Sequence, residues 1–160
     1  IIILPFLVSE EECKNAVQEQ QESTKLLTLL MGKRILLAED NELNAEIAIT
    51  ILEEEGLKVE WAEDGIKCLE MLKKVPEDYY DMILMDIQMP NMDGYRTTEE
   101  IRSLPDKRAQ IPIVAMTANV FDEDKKKAYE AGMNGYIAKP IDTKAIFSTL
   151  GEILQEKSEN

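Results

Sequence analysis

The sequence predicts an α/β protein, a doubly wound parallel sheet covered by helices on both faces, and three observations predict it. From Lys33 onward, short apolar runs alternate five times with segments of helical periodicity. Those runs are apolar almost throughout, as expected of strands buried on both faces rather than one. The chain has 160 residues with 44% hydrophobic content, enough for one domain with a filled core and a shorter extra segment. No internal repeat accompanies the alternation, which argues against a solenoid.

Residues 34–38 (Arg-Ile-Leu-Leu-Ala) form the first strand, which ends at Glu39 and Asp40. Asn41 can then accept from the free amides of a first helical turn. The helix it caps is expected to carry Leu43, Ile47, Ile51 and Leu52 inward and to close at Gly56. Lys58 to Ala62 is a second strand. Asp64-Gly65 leads from it into a helix with Ile66, Leu69 and Leu72 on one face, ended by Pro76. Asp81 to Met85 is a near-continuous apolar run ending at Asp86, and the loop chemistry of Met89-Pro90 and Asp93-Gly94 precedes a helix to about Arg102. Ile111 to Met116 is a fourth strand ending at Thr117, and Phe121 to Ala131 a helix. Gly135 to Ala138 is a fifth strand ending at Lys139-Pro140, and Asp142 to Gln155 a last helix, where Ile146, Leu150, Ile153 and Leu154 recur at helical spacing.

The first 31 residues are different in kind. A β-branched run, Ile1 to Leu4, is followed by Pro5 and then by a polar stretch up to Met31, which reads as a strand remnant and a linker that is helical in part. The expected organisation is a terminal piece over residues 1–6, a linker over 7–32, a domain over 33–157 and a tail over 158–160. A chain that starts with Ile rather than Met is expected to be a fragment of a longer protein.

Composition excludes several classes of function. Thirty-two acidic against eighteen basic residues give a formal charge of −14, so long-range electrostatics repel nucleic acid and anionic membrane surfaces. The longest apolar run, Ile1 to Val8, falls far short of the roughly 20 residues that cross a bilayer. A soluble, cytoplasmic chain is expected. Cys13 and Cys68 fit no metal spacing, and with no histidine anywhere there is no zinc site of ordinary composition, no Ser-His or Cys-His nucleophile pair and no phosphohistidine donor. The acidic runs at 10–12 and 53–55 and the basic run at 125–127 read as solvated faces.

What remains is at the strand ends. A doubly wound sheet gathers its strand C-termini along one edge, where such folds place their ligands. Strands one, three, four and five deliver Glu39-Asp40, Asp86, Thr117 and Lys139 to that edge, whereas strand two offers only Ala62-Glu63 and should lie at the side. Converging carboxylates repel by about 4 kcal/mol per pair at 4 Å in an effective dielectric near 20, so a cation belongs among them. Oxygen-only ligands suit Mg²⁺ or Mn²⁺. A lysine and a hydroxyl beside them are the equipment of phosphoryl transfer. Asp86, at the end of the central strand, is therefore the expected phosphoacceptor. Glu39 and Asp40 are the expected metal ligands, Lys139 the counter-ion of the phosphoryl group and Thr117 the hydroxyl that senses it.

At these residues the sequence resembles a known family. The motifs Leu37-Ala38-Glu39-Asp40-Asn41, Met85-Asp86-Ile87-Gln88-Met89-Pro90-Asn91-Met92-Asp93-Gly94, Ala115-Met116-Thr117-Ala118-Asn119 and Tyr136-Ile137-Ala138-Lys139-Pro140 are similar to the receiver domain of two-component response regulators over about Lys33 to Gln155. The resemblance implies a flavodoxin-like strand order 2-1-3-4-5. It further implies Mg²⁺ held by Asp40, Asp86 and the main-chain carbonyl of Gln88, with Glu39 in place of the commoner Asp acting partly through water. Backbone contacts to phosphate are expected from Ile87 and Ala118. The implied switch moves Thr117 toward the phosphoryl group and turns Tyr136 inward, Gln88 and Asn119 tune the lifetime of the phosphoryl group, and the Lys139–Pro140 bond is expected to be cis. Residues 1–6 resemble the last strand of a histidine kinase ATP-binding domain. The implied parent is a hybrid sensor kinase, whose partners are a histidine kinase and a histidine phosphotransfer protein.

A receiver that acts by docking alone, without phosphorylation, is the alternative. An aspartyl-phosphate phosphatase is disfavoured because Gln88 occupies the place of its second acid, and nucleotide binding because no Gly-rich phosphate loop occurs.

Overall fold

The computed structural model describes residues 31–118, 122–139 and 143–159, without the side chains of Asp122, Thr143 and residues 154–159. The expectations for residues 1–30, Asn119 and the Lys139–Pro140 bond lie outside the described residues. The elements in order are β1 (Arg34–Ala38), α1 (Glu42–Glu54), β2 (Lys58–Ala62), α2 (Gly65–Lys74), β3 (Met82–Asp86), α3 (Gly94–Arg102), a 3₁₀ turn (Lys107–Gln110), β4 (Ile113–Thr117), α4 (Asp122–Ala131), β5 (Gly135–Ala138) and α5 (Thr143–Glu159).

The five strands form one parallel sheet in the order β2-β1-β3-β4-β5, the order that the resemblance implies. Period-two alternation sends successive side chains to opposite faces. Ile35, Leu37, Leu84, Val114 and Ile137 pack under α1 and α5 with Ala45, Ala48, Leu52, Ile146 and Leu150. Leu36, Ala38, Ile83, Met85 and Ala115 pack under α2, α3 and α4 with Leu69, Leu72, Ile101 and Ala128. Each large side chain so buried stabilises the fold by about 1.5–3 kcal/mol, which is why the strands read as continuous apolar runs.

Helix starts follow the predicted chemistry. The side chains of Asn41, Asp64 and Asp93 accept from the amides of Asn44, Lys67 and Arg96. The inward faces of two helices do not. In α1, Leu43 is 65% and Ile47 48% exposed and Ile51 is half-buried, while Ala45, Ala48 and Leu52 face the sheet. Two alanines let the helix approach closely, and this turns the larger residues outward. In α2, Ile66 is exposed and Cys68 joins Leu69 and Leu72 inside. The 3₁₀ turn has no predicted counterpart, β4 starts two residues later than expected, and α5 continues through Glu159, so most of the predicted tail is helix.

Candidate functional site

Because the sheet is parallel, β1, β3, β4 and β5 release their following residues along one edge. Register decides the neighbours there, with Asp86 beside Met116 and Thr117 beside Ala138. The Lys139 amide donates to the Thr117 carbonyl at 2.8 Å, tying the end of β5 to that of β4. Gly94 allows the third strand's loop to fold back, since a Cβ there would lie 2.5 Å from the Asp86 carbonyl oxygen.

Within this frame every predicted catalytic and metal-binding residue lines one cavity of about 300 Å³: Glu39, Asp40, Asp86, Gln88, Thr117 and Lys139, together with Ile87 and Ala118. Lys139 Nζ donates to Glu39 Oε2 at 2.9 Å and sits 3.1 Å from Asp86 Oδ2. The Asn41 amide donates to Glu39 Oε1 at 3.2 Å, and the Gln88 amide to Asp86 Oδ1 at 3.3 Å. Glu39 and Asp86 are buried and Asp40 is exposed, and ligand oxygens of all three lie within 4.8 Å of one another. Among the described residues no buried side-chain nitrogen or oxygen lacks a partner.

The electrostatics follow from this crowding. Burial, and then the neighbouring Glu39 charge, raise the Asp86 carboxyl to about 7 against the pull of Lys139. Burial opposes the charge of Lys139, but its bond to Glu39 and the charge of Asp86 outweigh that and hold the ammonium above its ordinary range. Three carboxylates against one ammonium leave two negative charges when all are ionised, the charge that one divalent cation neutralises. The donors are all oxygen and one of the acids is open to water, which fits Mg²⁺ or Mn²⁺ and does not fit zinc.

The main-chain amides after β3 are divided between the sheet and the site. The Ile87 amide is already engaged by the Met116 carbonyl at 3.2 Å as the sheet continues past β3, so the amide facing Asp86 belongs to Gln88. Tyr136 is half-buried on β5 opposite Ala115, outside the cavity lining. Its ring is held by Lys125, whose Nζ lies 4.6 Å from the centroid, and by Tyr129 edge-on at 6.3 Å. Lys125 is therefore more than the solvated charge that the run at 125–127 implied. Asn44, also unmarked in the sequence, joins the cavity rim through its place in the first turn of α1.

The chain belongs to the response regulator receiver domain family, whose pattern matches residues 35–151. It is 44% identical over 130 residues to histidine protein kinase 1 of Candida albicans, covering 74% of this chain and 5% of that protein. It is 39% identical over 120 residues to the signal transduction histidine-protein kinase BarA of Shigella flexneri, covering 75% of this chain and 13% of that kinase. Across eight similar kinases the chain spans between 5% and 16% of their length. Among solved structures it resembles the receiver domain of the Pseudomonas aeruginosa sensor histidine kinase PA1611, described with a magnesium ion coordinated in its active site cleft. That match has 38% identity and a TM-score of 0.65, and covers 78% of this chain and 96% of the other.

Proposed function

We propose that this chain is a phosphoacceptor module that takes a phosphoryl group from a kinase phosphohistidine onto Asp86. The observation that carries the reading is the single ammonium of Lys139 bridging Glu39 and Asp86 beside the exposed Asp40. Glu39, Asp40, Asp86 and the Gln88 carbonyl would hold Mg²⁺ or Mn²⁺, and the bound cation would supply the charge that lets an anionic nucleophile meet an anionic phosphoryl group. Lys139 pairs with the transferred group's oxygens, the Gln88 amide holds Asp86 in its attacking orientation, and Ala118 and Thr117 line the side the group enters. Thr117 then moves toward the phosphoryl oxygens, and Tyr136 turns inward from its place against Lys125 and Tyr129, changing the β5 face.

The surrounding protein is read as a hybrid sensor histidine kinase. Residues 1–6 close its ATP-binding domain, 7–32 link and 33–157 receive, in a cytoplasmic setting. Similarity to receiver-bearing kinases supports this placement. Leu43 and Ile47, exposed one turn apart on α1 beside the cavity-lining Asn44, offer apolar footing to a histidine-bearing helix of the kinase or of a histidine phosphotransfer protein. The test is incubation with Mg²⁺ and acetyl phosphate, read by intact mass. A single phosphoryl adduct is expected for the wild-type chain and none for Asp86→Asn. An adduct that persists in the variant excludes Asp86 as acceptor, and no adduct in either favours the docking-only alternative.

A further inference from the structure

The geometry points to Trp61, on the edge strand that contributes nothing to the chemistry, as the positioning residue of the cation pocket. The inference rests on the metal reading above and extends it to a residue outside the cavity. Trp61 is half-buried on β2, in register with Leu37. Its Nε1–H donates to the main-chain carbonyl of Glu39 at 2.8 Å. The amide of the same Glu39 donates to the carbonyl of Ala62 at 3.1 Å. Two successive residues of β2 thus hold both main-chain polar groups of Glu39 just where β1 has ended.

The consequence falls on Asp40. Glu39 is fixed at its amide, its carbonyl and both carboxylate oxygens, through Ala62, Trp61, Asn41 and Lys139. Asp40 is exposed and its carboxylate takes no bond from another described residue that would aim it, so the peptide leaving Glu39 sets where that carboxylate stands relative to Asp86. An indole is a donor only, so the direction of the bond to Glu39 is unambiguous. Its ring packs on the same core as Val59, and its donor reaches past the ring to the turn. Phenylalanine would fill much of that space and leave the Glu39 carbonyl unpaired. A merely structural tryptophan would influence stability; a positioning one also influences cation affinity.

Titration calorimetry of the full chain with Mg²⁺ tests this on wild type, Trp61→Phe and Val59→Ala. Val59 packs on the same core and makes no polar contact with the turn, so its variant reports the effect of loosened packing alone. Trp61→Phe is expected to bind Mg²⁺ about fivefold more weakly, the effect of one lost hydrogen bond, while Val59→Ala keeps the wild-type dissociation constant. In the wild-type chain the Trp61 indole N–H resonance is expected to shift on adding Mg²⁺ with the same dissociation constant, a measurement that stands if Trp61→Phe does not fold. Equal affinity in wild type and Trp61→Phe, an equal loss in Val59→Ala, or an unmoved indole resonance overturns the assignment and leaves the metal reading standing. Absence of Mg²⁺ binding by the wild-type chain overturns both.

Discussion

Asp86 combines two demands that conflict. In its proposed role of nucleophile and ligand it must be ionised, yet burial and Glu39 hold its carboxyl at about 7 instead of 3.8. The unfolded chain gives up this proton near 3.8 and the folded chain keeps it to about 7, so stability falls as pH rises through that window and the loss is complete above it. The slope from this one group is at most on the order of 1.4 kcal/mol per pH unit. Without divalent cation, melting temperature should therefore decline from about pH 5 to about pH 8 more steeply in wild type than in Asp86→Asn, by thermal denaturation of both. Binding a cation expels the same proton. Mg²⁺ affinity should rise about tenfold from pH 6 to pH 8 and flatten beyond, by calorimetry in two buffers of different ionisation heat. Lys139 answers to the same geometry from the other side. Lys139→Met leaves Glu39 buried beside Asp86 without its cation and should cost about 3 kcal/mol of stability, partly restored by Mg²⁺, while acceptance of the phosphoryl group is lost.

Elements are joined at the edge of the sheet opposite the site, where strands begin and helices end, by two arginines that the sequence did not single out. Arg102, at the end of α3, donates to the carbonyls of Gly132, Ala109 and Ile111 and to Asn134 Oδ1 at 2.7–2.8 Å, tying α3 to the 3₁₀ turn and to the approach to β5. Arg108 donates to the carbonyls of Leu72 and Val75 at the end of α2. A lysine ammonium cannot span Arg102's four acceptors, so Arg102→Lys should destabilise by about 2 kcal/mol, measurable by urea denaturation. Both arginines are invisible to periodicity, since most of their acceptors are main-chain carbonyls at element ends and in loops whose paths no local pattern specifies. The same holds for Lys125, which in sequence is one of three lysines and in structure lies over Tyr136. A cation–π contact at a half-open site is worth about 0.5–1 kcal/mol, so Lys125→Ala should raise the population of inward Tyr136 roughly two- to fivefold. The ring resonances of Tyr136 in the unphosphorylated protein would record that shift.

At the scale of the molecule, the topology and the grouping of the site residues were legible for one reason. A parallel sheet converts the order of strand ends in sequence into one edge in space, so Glu39, Asp40, Asp86, Thr117 and Lys139 could be brought together before any coordinate was known. Which way α1 faces was not legible, because Ala45 and Ala48 carry less hydrophobic weight than Leu43 and Ile47 and yet pack on the sheet. Periodicity reports a face, and the close approach allowed by small residues decides which face is inside. The residues turned outward flank the cavity-lining Asn44 without lining the cavity themselves, so acceptance and partner exchange should separate. Leu43→Glu with Ile47→Glu replaces two exposed side chains outside the core and should leave the melting temperature and the acetyl phosphate adduct close to wild type. Transfer from a phosphorylated histidine-bearing partner should slow at least tenfold, about the loss expected when one or two apolar anchors of an interface become charged. Equal slowing with acetyl phosphate would place the effect in the pocket, and unchanged exchange with the protein partner would move the docking surface off α1.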